Sequence, residues 1–142
     1  MNNLCAEVGY KSINHDGEQL CGDCAEFAST DDTAICVLAD GLGSGVKASI
    51  LSTLTSKIIS TMMAEGLPLE ECVSTIAATL PICSVRGVAY STFTIIHLID
   101  NREAELIQYD NPHIIFFRNG KNYDYPKSEM NIDGKTIYKS VI

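Results

Sequence analysis

One acid stands at the centre of the stretch Thr33–Lys47, TAICVLADGLGSGVK, at the point where an apolar run through Ala39 gives way to glycines at 41, 43 and 45. An unpaired carboxylate is costly to desolvate inside a strand, so Asp40 belongs at a strand's exit, facing a cleft. The glycines after it let the backbone turn tightly and bring carbonyl and amide groups close. Carboxylate, carbonyl and water together suit a hard cation, which makes Asp40–Gly41 a metal-holding corner. A second acid, Asp23, lies in the weaker strand pattern Gln19–Phe27. It reads either as a solvent-facing residue or, if buried beside a cation, as a ligand or the group that orients the ion's water. Ser44 sits where a helix opens, so it can cap that helix or meet an anion through the helix amides.

The elements that hold these residues follow from periodicity. The continuous apolar run of Thr33–Asp40 predicts a strand covered on both faces. Residues 46–65 repeat apolar side chains at Leu51, Leu54, Ile58 and Met62, predicting a helix that Gly66 stops. A second helix is expected from Pro68 to Leu80, with Glu70 and Glu71 in its first turn and a buried stripe of Leu69, Val73, Ile76 and Leu80. Residues 82–89 read as a loop, with Arg86 either a solvated charge or a phosphate contact. From Tyr90 the period becomes that of strands: Thr92–Ile99, Ala104–Tyr109, His113–Arg118 and Lys135–Ile142, with Leu4–Ile13 as an additional first strand. Arg118-Asn119-Gly120-Lys121 is the strongest hairpin turn, and Asn131–Lys135 reads as another turn. The order predicts a single α+β domain over 1–142 with mainly antiparallel sheet.

Bulk properties narrow the function. A chain of 142 residues buries roughly two-thirds of its unfolded surface as one domain. No run of about 18 apolar residues is present, so no membrane span is expected, and the start carries no secretory pattern, which predicts a cytoplasmic protein. The net charge of −8, with no Lys/Arg cluster along the sequence, argues against nucleic acid as a partner. The acidity serves solubility or reflects carboxylates gathered around a cation. Cys36 and Cys72 fall on apolar faces and read as small core residues. Cys21 and Cys24 have C-x-x-C spacing without the second ligand pair a zinc knuckle needs, and in strand-like context rather than at a helix start. The three histidines, 15, 97 and 113, have no metal-binding spacing and read as structural.

Cys21-Gly22-Asp23, followed by Val37-Leu38-Ala39-Asp40-Gly41-Leu42-Gly43-Ser44-Gly45-Val46-Lys47-Ala48, resembles the first half of the sporulation-phosphatase (SpoIIE-like) branch of the metal-dependent serine/threonine phosphatases, the type-2C or PPM enzymes. Tyr90-Ser91-Thr92-Phe93 and the hairpins through Lys121 also match that family's middle portion. The resemblance implies part of an α/β/β/α sandwich, with two sheets face to face and helices outside. It implies that Asp40 bridges two Mn²⁺ or Mg²⁺ ions, that the Gly41 carbonyl completes one ion's shell, and that Asp23 lies beside the same ion and acts through its water. The implied activity is dephosphorylation of phosphoserine or phosphothreonine on a regulatory protein, such as a phosphorylated anti-sigma-factor antagonist. The family's domain continues into a second half with further acids, which Asp124, Glu129 and Asp133 do not match. The chain is therefore expected to be a shortened form of a longer phosphatase, weak in metal binding and turnover, or else a natural half-domain that only binds. Uncovered sheet would then favour self-association into a homo-oligomer.

Overall fold

A computed structural model describes residues 7–11, 23–29, 33–41, 45–79, 92–100, 102–132 and 135–142. Its elements, in order, are β1 (Asp23–Ser29), β2 (Thr33–Asp40), α1 (Gly45–Ala64), α2 (Leu69–Thr79), β3 (Thr92–Ile99), β4 (Glu103–Tyr109), β5 (Phe117–Arg118), β6 (Lys121–Asn122), β7 (Ser128–Ile132) and β8 (Lys135–Val141). Six of the strands form one sheet in the order β1-β2-β3-β4-β8-β7, and each neighbouring pair is antiparallel. The strands β5 and β6 pair separately as a hairpin. This is the α+β architecture read from the sequence. Among the described residues, no helix is long and apolar enough to cross a membrane.

Side chains alternate across a strand, so register assigns them to faces. Ile35 and Val37 of β2, Phe93 and Ile95 of β3, Ile107 of β4 and Ile137 of β8 meet Ile59 and Met63 of α1 and Leu69, Cys72 and Val73 of α2 in one core. Helix α1 lies across β1 and β2, and α2 packs on α1. The opposite face carries Phe27, Leu38, Ile96 and Tyr138, and Tyr10 lies against Phe27 with ring centroids 5.2 Å apart. A groove of about 440 Å³ on this face is lined by Tyr10, Phe27, Leu38, Ile96 and Ile114, among others. On the helix-bearing face, Glu105 sits opposite His97 and ion-pairs with Lys139 at 3.5 Å.

The buried face of α1 differs from the expected stripe. Leu51 is buried, but Leu54 is exposed and Ile58 and Met62 are only half-buried. The inward face runs instead through Ala48, Leu51, Ser52, Thr55, Ser56, Ile59, Ser60 and Met63. Hydrophobicity hides this face because four of its residues carry hydroxyls. The serines satisfy themselves within the helix: Ser52, Ser56 and Ser60 donate to the carbonyls of Ser49, Thr53 and Lys57 at 3.1, 3.1 and 3.3 Å. Burying them therefore leaves no polar atom stranded, and their small size lets the helix sit close to the sheet. Ser56→Ala is accordingly expected to shift stability by under about 0.5 kcal/mol, while Ser56→Leu overpacks the interface and costs about 1–3 kcal/mol. Urea titrations of the two variants check this, and equal midpoints would contradict it.

Other boundaries shift for identifiable reasons. Helix α1 ends as expected at Gly66, where Gly66 N–H donates to the Met63 carbonyl and Leu67 N–H to that of Met62, both at 3.0 Å. Of the expected strand Leu4–Ile13, the described residues 7–11 belong to no strand. The strand expected at His113–Arg118 shrinks to Phe117–Arg118. Side chains take over the backbone groups there: the Gln108 Oε1 accepts from Ile114 N–H at 2.7 Å, and the Tyr125 hydroxyl donates to the Ile114 carbonyl at 2.6 Å. Glu129 lies in β7, a strand that sequence periodicity misses. Leu80, the 82–89 loop, His15 and Asp133 lie outside the described residues.

Candidate functional site

The register of β1 with β2 puts Asp23 directly opposite Asp40, at the end of the sheet where β2 hands over to α1. The two residues are separated by a connection and a full strand pair, so only sheet pairing brings them together. Their carboxyl groups hydrogen-bond to each other. Partial desolvation of the largely exposed side chain first, then the negative charge of Asp40 and that hydrogen bond, raise the pKa of Asp23 above the ordinary carboxylate value. Two acids that repel one another at a sheet's end are what a divalent cation relieves.

Gly41 follows immediately and is buried. A Cβ built there would lie 2.0 Å from the Ala48 carbonyl oxygen, 2.5 Å from its carbon and 2.7 Å from its Cα, all backbone atoms of α1. The glycine thus allows the strand to pass against the helix that follows it, which anchors the position of Asp40. Ser44 lies outside the described residues.

On the other side of Asp40, the register places Thr92 of β3. The buried Thr92 hydroxyl donates to the Asn111 Oδ1 at 2.5 Å, and Asn111 Nδ2 donates to the Thr94 hydroxyl at 2.9 Å. Asn111 therefore ties the segment after β4 to the face that carries the acid pair. Asn111 falls between the expected strands Ala104–Tyr109 and His113–Arg118, and its spacing from Asp40 holds no signal of this contact.

Hard oxygen donors fit Mg²⁺ or Mn²⁺, and Mg²⁺ is commonly held through one or two carboxylates, with waters and substrate phosphates completing its shell. Asp23 and Asp40 meet that requirement. Among the described residues, no group of three or more His, Cys, Asp or Glu converges to hold a metal ion. Two of the thiols are poorly placed for reactivity: burial pushes the Cys72 pKa up to about 11 and raises that of Cys36. Cys21 of the C-x-x-C lies outside the described residues, and Cys24 is a free thiol.

The raised Asp23 pKa has a defined sign in stability. A carboxyl that holds its proton more tightly when folded stabilises the protein at acid pH, and that contribution is lost as pH rises through the raised value. Without divalent cation, Asp23→Asn should therefore melt higher than the parent at neutral pH. The gain is modest, about 2 °C, because Asp23 is exposed. It should vanish on acidification below the usual carboxylate range, and melting curves in EDTA across pH check it. A difference that does not vary with pH would sink the assignment.

The chain resembles the PP2C phosphatase domain with a fragment of the regulatory domain of the cell fate determinant SpoIIE from Bacillus subtilis, at 18% identity and TM-score 0.58, covering 70% of this chain and 30% of that one. It also resembles RsbX in complex with magnesium, at 22% identity and TM-score 0.64, covering 93% of this chain and 65% of that one. The chain thus spans less than two-thirds of the length of both structures. These likenesses establish a type-2C phosphatase-like fold. No curated protein sequence matches the chain. The model of the family Stage II sporulation protein E matches residues 30–132, which run from just before β2 through β7, and the chain belongs to the SpoIIE family of PP2C-like phosphatases.

Proposed function

We propose that this chain supplies the first part of the active centre of a Mn²⁺- or Mg²⁺-dependent phosphatase acting on phosphoserine or phosphothreonine in a regulatory protein. The observation that carries the reading is the direct opposition of Asp23 and Asp40, whose carboxyl groups share a hydrogen bond at the end of the sheet. Asp40 and Asp23, with the Gly41 carbonyl, would hold the divalent cation. Bound metal in such a centre activates water and neutralises phosphoryl charge. The chain's own part is to hold the acids in place: β1 and β2 fix their opposition, Gly41 seats the strand end against α1, and Asn111 with Thr92 closes the flank. Ser44, at the opening of the helix, is proposed as a phosphate contact through the helix N-terminus. The RsbX structure contains magnesium, which supports the choice of ion.

The test is phosphate release from a phosphoserine-bearing anti-sigma-factor antagonist, with Mn²⁺ supplied and with EDTA. Release that requires the metal supports the reading. If the protein binds no Mn²⁺ and releases no phosphate, yet forms a defined homo-oligomer or binds the phosphoprotein, it is a phosphatase-like binding module instead.

A further inference from the structure

The chain carries a net charge of −8 with ten Lys and Arg, and three of those ten, Arg118, Lys121 and Lys127, fall within residues 118–127. They are spread along the sequence, but the hairpin gathers them. Asn119 and Gly120 take φ of 54° and 76°, the left-handed pair that a two-residue turn requires. That turn makes Arg118 and Lys121 direct cross-strand partners. Like charges in that relation destabilise a strand pair, and none of the three cations forms an ion pair among the described residues.

Beneath them lies an aromatic platform. The Phe116 ring meets those of Tyr123 and Tyr125 at centroid distances of 5.4 and 6.5 Å. The Arg118 guanidinium sits 4.6 Å from the Tyr123 centroid and 5.4 Å from that of Phe116, and Lys127 Nζ sits 4.3 Å from the Tyr125 centroid. Rings hold the cations in place while leaving their N–H edges free to donate. Arg118, Lys121 and Lys127 are all exposed, and so is Asp124, the acid between the two tyrosines in sequence.

The platform is fastened to the face that carries Asp40. The Tyr125 hydroxyl lies 3.4 Å from Gln108 Nε2, which donates to it, and Gln108 is the cross-strand partner of Thr94, itself partner of Leu38. Two strand spacings and two residues separate Gln108 from Asp40, about 12 Å. We propose that the β5–β6 hairpin is a docking surface for an acidic segment of a polypeptide partner, a few residues from the group that reaches the acid pair. An otherwise acidic chain repels such a segment everywhere else, so a local basic patch sets its position and direction. The link to the reacting group rests on the phosphatase reading, whereas the docking itself does not.

The experiment is fluorescence anisotropy of a labelled peptide with a Glu/Asp-rich stretch, titrated with the full chain. The parent is expected to bind at low salt and to release the peptide as ionic strength approaches about 1 M, where screening reaches about 3 Å. Arg118→Gln with Lys121→Gln should weaken binding about tenfold. Lys121→Gln alone, which removes no ring contact, should weaken it by a few-fold without changing the melting temperature. Unchanged affinity in both variants, or tighter binding to anionic vesicles or RNA than to the peptide, would overturn the proposal. Hairpin-dependent peptide binding by a protein that shows no metal-dependent hydrolysis of a small aryl phosphate supports the docking surface and counts against the phosphatase reading alone.

Discussion

Asp40→Asn is expected to reduce Mn²⁺ affinity by about 100-fold or more, and metal-dependent phosphate release with it. Loss of a residue that merely orients a ligand typically costs 10- to 100-fold in metal affinity, so loss of a carboxylate ligand should cost at least that. An amide offers the ion a neutral oxygen in place of an anion, and it leaves Asp23 as the remaining acid at this corner. The metal-free fold should not suffer, because the substitution removes the repulsion between the two acids. Electron paramagnetic resonance of free Mn²⁺ during titration reports affinity directly, and circular dichroism confirms the fold. Retained affinity with an intact fold would mean that the acid pair is not the metal centre. Asp23→Asn provides the graded comparison. Asp23 is exposed while Asp40 is half-buried, so its loss should weaken the ion less.

Gly41→Ala should be the most damaging single change in the fold, costing at least about 3 kcal/mol and lowering the melting temperature by roughly 10 °C. The added methyl would occupy space 2.0 Å from the Ala48 carbonyl oxygen, and the three atoms nearest to it are all backbone of α1. No rotamer change relieves such a clash, so the helix must lift from the sheet or the strand end must move. Both movements displace Asp40. Because the opposing atoms are backbone, Ala48→Gly should not rescue the variant, which separates this clash from ordinary side-chain overpacking. Gly9→Ala is the control, since a Cβ there meets nothing within 4 Å and should change stability by under about 0.5 kcal/mol. Thermal melts of the two variants, alone and with Ala48→Gly, check both statements. Equal melting temperatures for Gly41→Ala and the parent would contradict the packing of α1 on β2.

Strands β2 and β3 and helix α1 were legible because their signals are local. An unbroken apolar run marks a strand, and spacing of three and four marks a helix. Yet β2 is not covered on both sides as expected: Ile35, Val37 and Ala39 are buried under the helices, while Leu38 on the other face is exposed, because no helix among the described residues packs there. Where local signal and burial disagree, tertiary packing overrides the periodicity. The inward face of α1 uses serines and a threonine, and hydropathy counts these as outward-facing although the helix's own carbonyls satisfy Ser52, Ser56 and Ser60. β7 escaped notice because Ser128–Ile132 has little strand propensity, and pairing along β8 holds it instead. The backbone of Ile114 looked like strand, but its hydrogen bonds go to Gln108 and Tyr125 rather than to a ladder.

By itself, the sequence determined that an acid would stand at the exit of an apolar strand on glycine, since both the cost of burying a carboxylate and the turn that follows are properties of a few adjacent residues. It likewise determined the helix pair, the hairpin turn at Asn119–Gly120 and the antiparallel character of the sheet. Only the tertiary structure decided that Asp23 faces Asp40, that Asn111 flanks them, and that Arg118 stands beside Lys121 on a bed of rings. Each of these is a matter of register between segments far apart or folded back on one another, and a shift of one residue would turn each side chain to the opposite face.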